Sequence, residues 1–330
     1  MTTLLAGDIG GTKTLLALYR ADGPELELLV SERYSSVDWP DLGAMVNQFL
    51  GRCSQGELPG SACLAVAGPV RAGRARLTNL PWQLAESELA RATGIARLEL
   101  VNDFAVLIYG LPHLQPHQLG QVRPGTGEAD GPLLVLGAGT GLGVAFGLPT
   151  TNGLVAMASE AAHGEFAPRT QAEWELKSWL LAELGLERLS IERVVSGTGL
   201  GHVARWLLHC RHPGGDHPLQ LEDPSDLPAA VATAAGRGDP LAKEALELWL
   251  AAYGSVCGDL ALHALSRGGI WLAGGTAGKL LEALRGPAFL DAFLAKGRLT
   301  PVLEPMPITA IRDAAIGQFS AACRARMLLA

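Results

Sequence analysis

LLAGDIGGTKTLLALYR, residues Leu4 to Arg20, and LLVLGAGTGLGVAFGL, residues Leu133 to Leu148, are one pattern written twice. Each is an apolar run, a tight Gly/Thr-rich connection and a second apolar run, which reads as strand, turn, strand. At a constant offset Gly10 falls on Gly139, Thr14 on Gly143 and Asp8 on Gly137. Glycine turns let backbone N–H groups approach phosphate oxygens with no Cβ in the way. A chain that builds this hairpin in both halves is expected to clamp a polyanion between them.

The surroundings of Asp8-Ile9-Gly10-Gly11-Thr12 limit what it can be. A Walker loop ends in Gly-Lys-Ser/Thr and opens a helix, and a dinucleotide loop reads G-x-G-x-x-G before a helix. Strand-like sequence on both sides leaves two readings. One is a plain hairpin whose glycines supply positive φ; the other is a turn that offers consecutive N–H donors and a hydroxyl to phosphates. Asp8 at the end of a buried strand, and the second copy downstream, favour the phosphate reading.

At 330 residues the chain is long for one core, so two lobes are expected. An apolar share of 48% with 18% charged residues fits a folded soluble protein. The formal charge of −7 argues against nucleic acid or an acidic membrane face as partner. An anionic ligand then needs locally placed donors and a metal ion. The five cysteines are scattered and odd in number, with no C-x-x-C pair, which reads as free thiols in a reducing cytoplasm. No basic-then-apolar leader opens the chain. The apolar stretch Leu248 to Ser266 is interrupted by Gly254, Gly258 and Asp259, so it reads as a core helix.

Strand and helix alternate around the hairpins, an α/β signature. A third strand follows Asp22-Gly23-Pro24, Leu42 to Gly51 has helical spacing, and Ala62 to Gly68 reads as a buried strand. Glu86 to Ala92 is a helix, and Leu98 to Val101 a strand that delivers Asn102-Asp103 to an apolar helix, Phe104 to Gly110. Beyond the second hairpin, Thr170 to Leu184 is a helix with Trp174, Trp179 and leucines on one side. His212 to Pro240, rich in Pro, Gly and Asp, reads as loop, with 212–228 as a surface insertion. A long helix from Leu241 to about Leu265 follows, then the strand Gly269 to Ala273, the turn Gly274-Gly275-Thr276 and a helix from Ala277 to Leu284. The last helix, Ala314 to Leu328, is expected to pack back onto the first lobe.

The DIGGT turn, the GAGTGLG turn, Asn102-Asp103 after a strand and Ala273-Gly274-Gly275 before a helix resemble the hexokinase/Hsp70/actin-like ATPase superfamily. More narrowly, GDIGGTKT, AVAGPV, LVNDF, GAGTGLGVA, SEAAHGEFAP, ERVVSGTGL and GGIWLAGG resemble the bacterial glucokinases of the zinc-free type, in order and over nearly the whole chain. The resemblance implies an α/β, two-lobed actin-like ATPase (ribonuclease H-like) fold with a smaller and a larger α/β domain and a cleft between them. The small domain is expected at 1–112, completed by the C-terminal helix at about 312–330, and the large one at 113–311. The implied activity is ATP-dependent phosphorylation of D-glucose at its 6-hydroxyl, with ATP and Mg²⁺ as cofactors. A homodimer is implied, with no nucleic-acid or membrane partner.

By the same resemblance Asp8 holds Mg²⁺ through water while Gly7, Ile9, Gly10, Gly11 and Thr12 cradle phosphates. Mg²⁺ keeps several waters and takes few carboxylates from the protein, which agrees. Lys13 reads equally well as a solvated turn lysine and stays outside the set. Gly137, Gly139, Thr140 and Gly141 form the second grip, Gly274 and Gly275 pass close to adenosine, and Ser196 to Gly199 lie nearby. By itself the Gly274-Gly275 pair is also a plain strand-to-helix turn.

Asn102-Asp103 is the expected reactive pair, with Asp103 as the base and Asn102 as a sugar ligand. Read as residues alone, Asn or Asp before a helix is first an N-cap, worth roughly 1 kcal/mol; both roles can coexist. Glu160 and His163, three apart, would face one side and suit sugar hydroxyls. A zinc reading of E-x-x-H lacks nearby ligands. Glu192 matches the family's remaining sugar glutamate, and otherwise reads as a surface residue at a helix start. Sugar binding is expected to close the cleft and exclude water. The alternatives are another hexose kinase, a polyphosphate-using glucokinase and, from a different class, an actin-like ATPase switch.

Overall fold

A computed structural model of the chain describes residues 2–54, 56–77, 80–313 and 315–329. Two units divide it: Met1–Gln115 with Thr150–Ala158 and Asp313–Ala330, and Pro116–Pro149 with Ser159–Arg312.

In the first unit β1 (Thr3–Ile9), β2 (Lys13–Arg20) and β3 (Glu27–Ser35) form an antiparallel meander. After α1 (Leu42–Cys53), the fully buried β4 (Ser61–Val66) pairs with β1 in parallel. After α2 (Glu86–Thr93), β5 (Leu98–Asn102) pairs with β4 in parallel, giving the order β3-β2-β1-β4-β5. Asp41 caps α1 by accepting from the Ala44 amide at 2.8 Å. Leu42, Met45, Val46, Phe49 and Leu50 recur at helical spacing and pack with Leu5, Ile9, Leu16, Leu18 and Leu64 in one core. The C-terminal helix, Ile316–Met327, packs on β1 and β4. Ser61 donates to the Ala325 carbonyl at 2.6 Å, and Arg324 grips Glu99 through two nitrogens. The expected start of this helix, Ala314, lies outside the described residues.

The second unit repeats the plan. Five strands of its mixed sheet are β6 (Leu119–Arg123), β7 (Leu133–Ala138), β8 (Leu142–Thr150), β10 (Gly269–Ala273) and β11 (Ile308–Ile311), in the order β8-β7-β10-β11-β6. Here β7, β10 and β11 are parallel, while β8 and β6 are antiparallel. The intervening β9 (Gly153–Ser159) groups with the first unit as far as Ala158. Thus β2-β1-β4 in one unit corresponds to β8-β7-β10 in the other. Its longer helices are α3 (Gln171–Glu183), α4 (Gly197–Arg211), α5 (Leu227–Gly236), α6 (Pro240–Ala264) and α7 (Pro287–Leu294), with Trp249, Tyr253, Phe289 and Phe293 fully buried among them.

Three local expectations change. Phe104 to Gly110 is helical only at Leu107–Gly110, because the turn before it closes with i→i+3 bonds such as Leu107 N–H to Phe104 carbonyl at 3.2 Å. The Pro/Gly/Asp-rich stretch contains α5, whose five alanines in LPAAVATAAG outweigh their surroundings. Trp174 is 55% exposed, since Glu173, Leu176 and Leu180 make the buried line of α3. The long core helix expected from Leu241 to about Leu265 is α6, which runs unbroken through Gly254 and Gly258. A Cβ at either would overlap the carbonyl oxygen of Phe289 or Phe293, so the two glycines let α7 lie against it. By length and composition α6 could cross a membrane, but most of its apolar window is buried inside the unit.

Candidate functional site

In the first unit the C-terminal ends of three parallel strands meet, the edge at which open α/β sheets bind ligands. Asp8 is the penultimate residue of β1, and the Ala67 amide after β4 donates to the Ile9 carbonyl at 3.0 Å. The Asp103 amide after β5 donates to the Val66 carbonyl, also at 3.0 Å. Asp103 therefore stands two strands across from Asp8, roughly 10 Å laterally, and two residues further along the strand direction. Gly7 and Ile9 are buried between β2 and β4, so their contribution is to place Asp8. The amides of Gly11 and Thr12 find no acceptor among the described residues, as a phosphate grip requires. The side chain of Lys13 is exposed.

Asn102 does what a cap does, and more. Its Oδ1 accepts from the amides of Phe104 and Ala105, both at 3.0 Å. Its Nδ2 donates to the Gly68 carbonyl at 3.1 Å and to Asp103 Oδ1 at 2.9 Å. A side-chain amide has two donors and two acceptor sites, and all four are taken. In this structure Asn102 orients Asp103.

The second glycine turn is held from three sides. The Gly197 amide donates to the Gly139 carbonyl at 2.7 Å, and Thr198 Oγ1 to the Thr140 carbonyl at 2.9 Å. Thr276 Oγ1 donates to the Ala138 carbonyl at 2.6 Å, tying in Gly274, which takes φ of 84°. Ser196 caps α4 by accepting from Gly199 N at 2.9 Å. Gly137 is the penultimate residue of β7, and the amides of Thr140 and Gly141 have no acceptor among the described residues. Past the short helix that starts at Gly275, a cavity of about 910 Å³ is lined by Lys279, Leu280, Ala283, Leu246 and Leu250 among others.

Glu160 and His163 lie on one exposed turn, with Glu160 Oε2 3.6 Å from His163 Nε2. The Ile191 amide donates to the Gly164 carbonyl at 2.9 Å, and Glu165 bridges to Ser190. These bonds bring Glu192 beside them. Glu192 also accepts from the Leu142 amide through Oε2 at 2.9 Å, and its carboxylate fills the space that a Cβ on Gly141 would need. Glu192 is thus seated on the second glycine turn.

Burial raises the pKa of Asp8 above the usual carboxylate range. No donor or cation among the described residues faces its carboxylate. At neutral pH this is a half-buried anion without a counter-charge, which fits a hydrated divalent cation.

A family model described as Glucokinase matches residues 5–328. A glucokinase of Nostoc punctiforme is 39% identical, the match covering 99% of this chain and 100% of the relative. The chain belongs to the glucokinase family. A glucokinase crystal structure from an Antarctic psychrotroph has a TM-score of 0.85 at 28% identity, covering 99% of both chains. The crystal structure of Balamuthia mandrillaris glucokinase in complex with glucose has a TM-score of 0.77 at 22% identity, covering 98% of this chain and 94% of that one, a likeness in fold. This glucokinase-family chain has the actin-like ATPase fold, and ATP is the co-substrate that membership implies.

Several side chains make supporting bonds that the sequence reading did not assign to them. Thr198 and Thr276 hold the second turn, Ser196 caps the helix beside it, and Thr14 and Ser36 lie under the first. Ser196 had a signal, since Ser-Gly-Thr-Gly before an apolar run is an N-cap pattern. Ser36 had none, being separated by 26 residues from its partner Gly10.

Proposed function

We infer that this chain catalyses ATP + D-glucose → glucose 6-phosphate + ADP with Asp103 as the base. The observation that carries the reading is Asp103 at the end of β5, held through Oδ1 by Asn102 and sharing a sheet edge with the Asp8 turn. Asp103 accepts the proton of the sugar's 6-hydroxyl as charge builds on that oxygen, and the oxygen displaces ADP from the γ-phosphorus. Phosphoryl transfer asks chiefly for positioning and charge neutralisation. Asn102 fixes the carboxylate, while Glu160, His163 and Glu192 take the remaining hydroxyls and aim the 6-oxygen. The turn amides at Gly11, Thr12, Thr140 and Gly141 receive phosphate oxygens. Asp8 would hold Mg²⁺ through water, and the ion would offset phosphate charge. The cavity next to Lys279 and Leu280 is large enough for the adenosine moiety.

The resemblance also supports a homodimer in the cytoplasm, and light scattering on the purified protein reads the oligomeric part. The reaction is tested with a panel of hexoses and two donors. Glucose with ATP should give a kcat/KM at least about tenfold above mannose, fructose or N-acetylglucosamine. Faster turnover of any of those, or turnover with polyphosphate equal to that with ATP, would overturn the assignment of acceptor or donor.

A further inference from the structure

The geometry points to Ser36 as a positioning residue for the donor phosphates, acting through the Gly10 carbonyl. The inference rests on Gly10 to Thr12 being a phosphate grip. Ser36 follows β3 at the head of a three-residue turn and is fully buried, as is Thr14 on β2. Its hydroxyl donates to the Gly10 carbonyl at 2.9 Å. A hydroxyl has one proton, so the 2.9 Å contact between Thr14 Oγ1 and Ser36 Oγ is donated by Thr14. The direction is therefore fixed: Thr14 to Ser36, and Ser36 to the turn.

Ser36 holds the turn a second time. Its backbone amide donates to the Thr12 carbonyl at 3.0 Å, and the Gly10 amide donates to the Lys13 carbonyl at 2.9 Å. A peptide unit is planar and trans, so its carbonyl and the following N–H point opposite ways. Pinning the Gly10 carbonyl to buried Ser36 turns the Gly11 N–H away from the core. Pinning the Thr12 carbonyl to the Ser36 amide fixes the plane of the next peptide but one, and the Thr12 amide lies between the two fixed planes. The turn has no slack to compensate, since a Cβ on Gly10 would stand 2.9 Å from the Lys13 carbonyl oxygen. One buried serine, distant in sequence, thus sets the donor directions that γ- and β-phosphate oxygens meet. Pre-set donors matter more than flexible ones, because they need not reorganise as charge develops.

The test compares Ser36→Ala, Thr14→Val and Thr14→Ser, with Gly10→Ala as a control on the turn. Ser36→Ala should raise the KM for ATP and the Kd of a non-hydrolysable ATP analogue about tenfold, with glucose Kd within about twofold of wild type. Thr14→Val should move the ATP constants the same way by less, and Thr14→Ser, which keeps the hydroxyl, should restore them. If Ser36→Ala does not fold, the Thr14 pair carries the comparison. Unchanged ATP constants in Ser36→Ala and Thr14→Val, with a lowered Tm, would make the hydroxyls purely structural and overturn the proposal. Should Gly10→Ala also leave ATP binding intact, the phosphate-grip reading itself fails, which is a separate result.

Discussion

Asp8 carries a charge that the fold does little to solvate, and the consequence can be measured. Its folded pKa is raised by burial, so the native state binds its proton more tightly than the unfolded chain does. Such a group stabilises below the unfolded pKa, and that stability is lost as pH rises through the folded value. At neutral pH the ionised Asp8 therefore costs the ligand-free protein stability. Asp8→Asn should raise the Tm at pH 7 while removing most turnover, and the Tm advantage should shrink as pH falls through the pKa of Asp8. A lower Tm in Asp8→Asn at pH 7 would mean that Asp8 has a partner that favours its charge. Glu192 makes a second residue-scale case, because its Oε2 serves Leu142 N–H while the carboxylate is also proposed to hold sugar. A Gln at this position can still accept from Leu142 but is a poorer hydroxyl acceptor. Glu192→Gln should raise glucose KM roughly tenfold or more with ATP KM near wild type, whereas Glu192→Ala should raise both. Two-substrate steady-state kinetics separate the cases.

Among the elements, those whose apolar pattern is local were readable from sequence. The hairpins, β4, β5, α1 and β10 fall within a few residues of expectation, because a run of apolar residues bounded by Gly, Pro or Asp carries its own punctuation. Helix α4 was hidden by Gly197, Gly199 and Gly201 in its first turns, each costing about 1 kcal/mol against Ala. It survives because Ser196 caps it and Leu200, Val203, Ala204 and Leu207 are buried. The sheet-edge strand LGQVR and the four-residue β11 are too short or too polar to announce themselves. The same scale gives a stability prediction at the α6–α7 contact. Gly254→Ala adds a methyl where the Phe289 carbonyl already sits, so despite the better helix propensity of Ala it should lower stability by about 1–3 kcal/mol in urea unfolding. A stabilised variant would show that the two helices can separate without loss.

For the whole molecule, the sequence carried the two glycine turns, the Asn102-Asp103 pair and the order of motifs, which together carried the fold class. What it could not carry were ties between residues 26, 50 and 138 apart, such as Ser36 to Gly10, Glu192 to Leu142 and Thr276 to Ala138. Those ties exist only once the sheets are built. Because glucose is proposed to bind the folded chain alone, its effect on unfolding is a global readout. At one hundred times its Kd, glucose should stabilise by about 2.7 kcal/mol. For a chain of this size that is a Tm rise of roughly 4 °C. Fructose at the same concentration should give a clearly smaller shift, and an equal one would argue against selection for glucose.

Turnover and glucose binding measured side by side in Asp103→Asn test the central assignment most directly. With both substrates saturating, kcat should fall by about a thousandfold or more, while calorimetric glucose Kd stays within about tenfold of wild type. A kcat within tenfold of wild type would contradict Asp103 as the base.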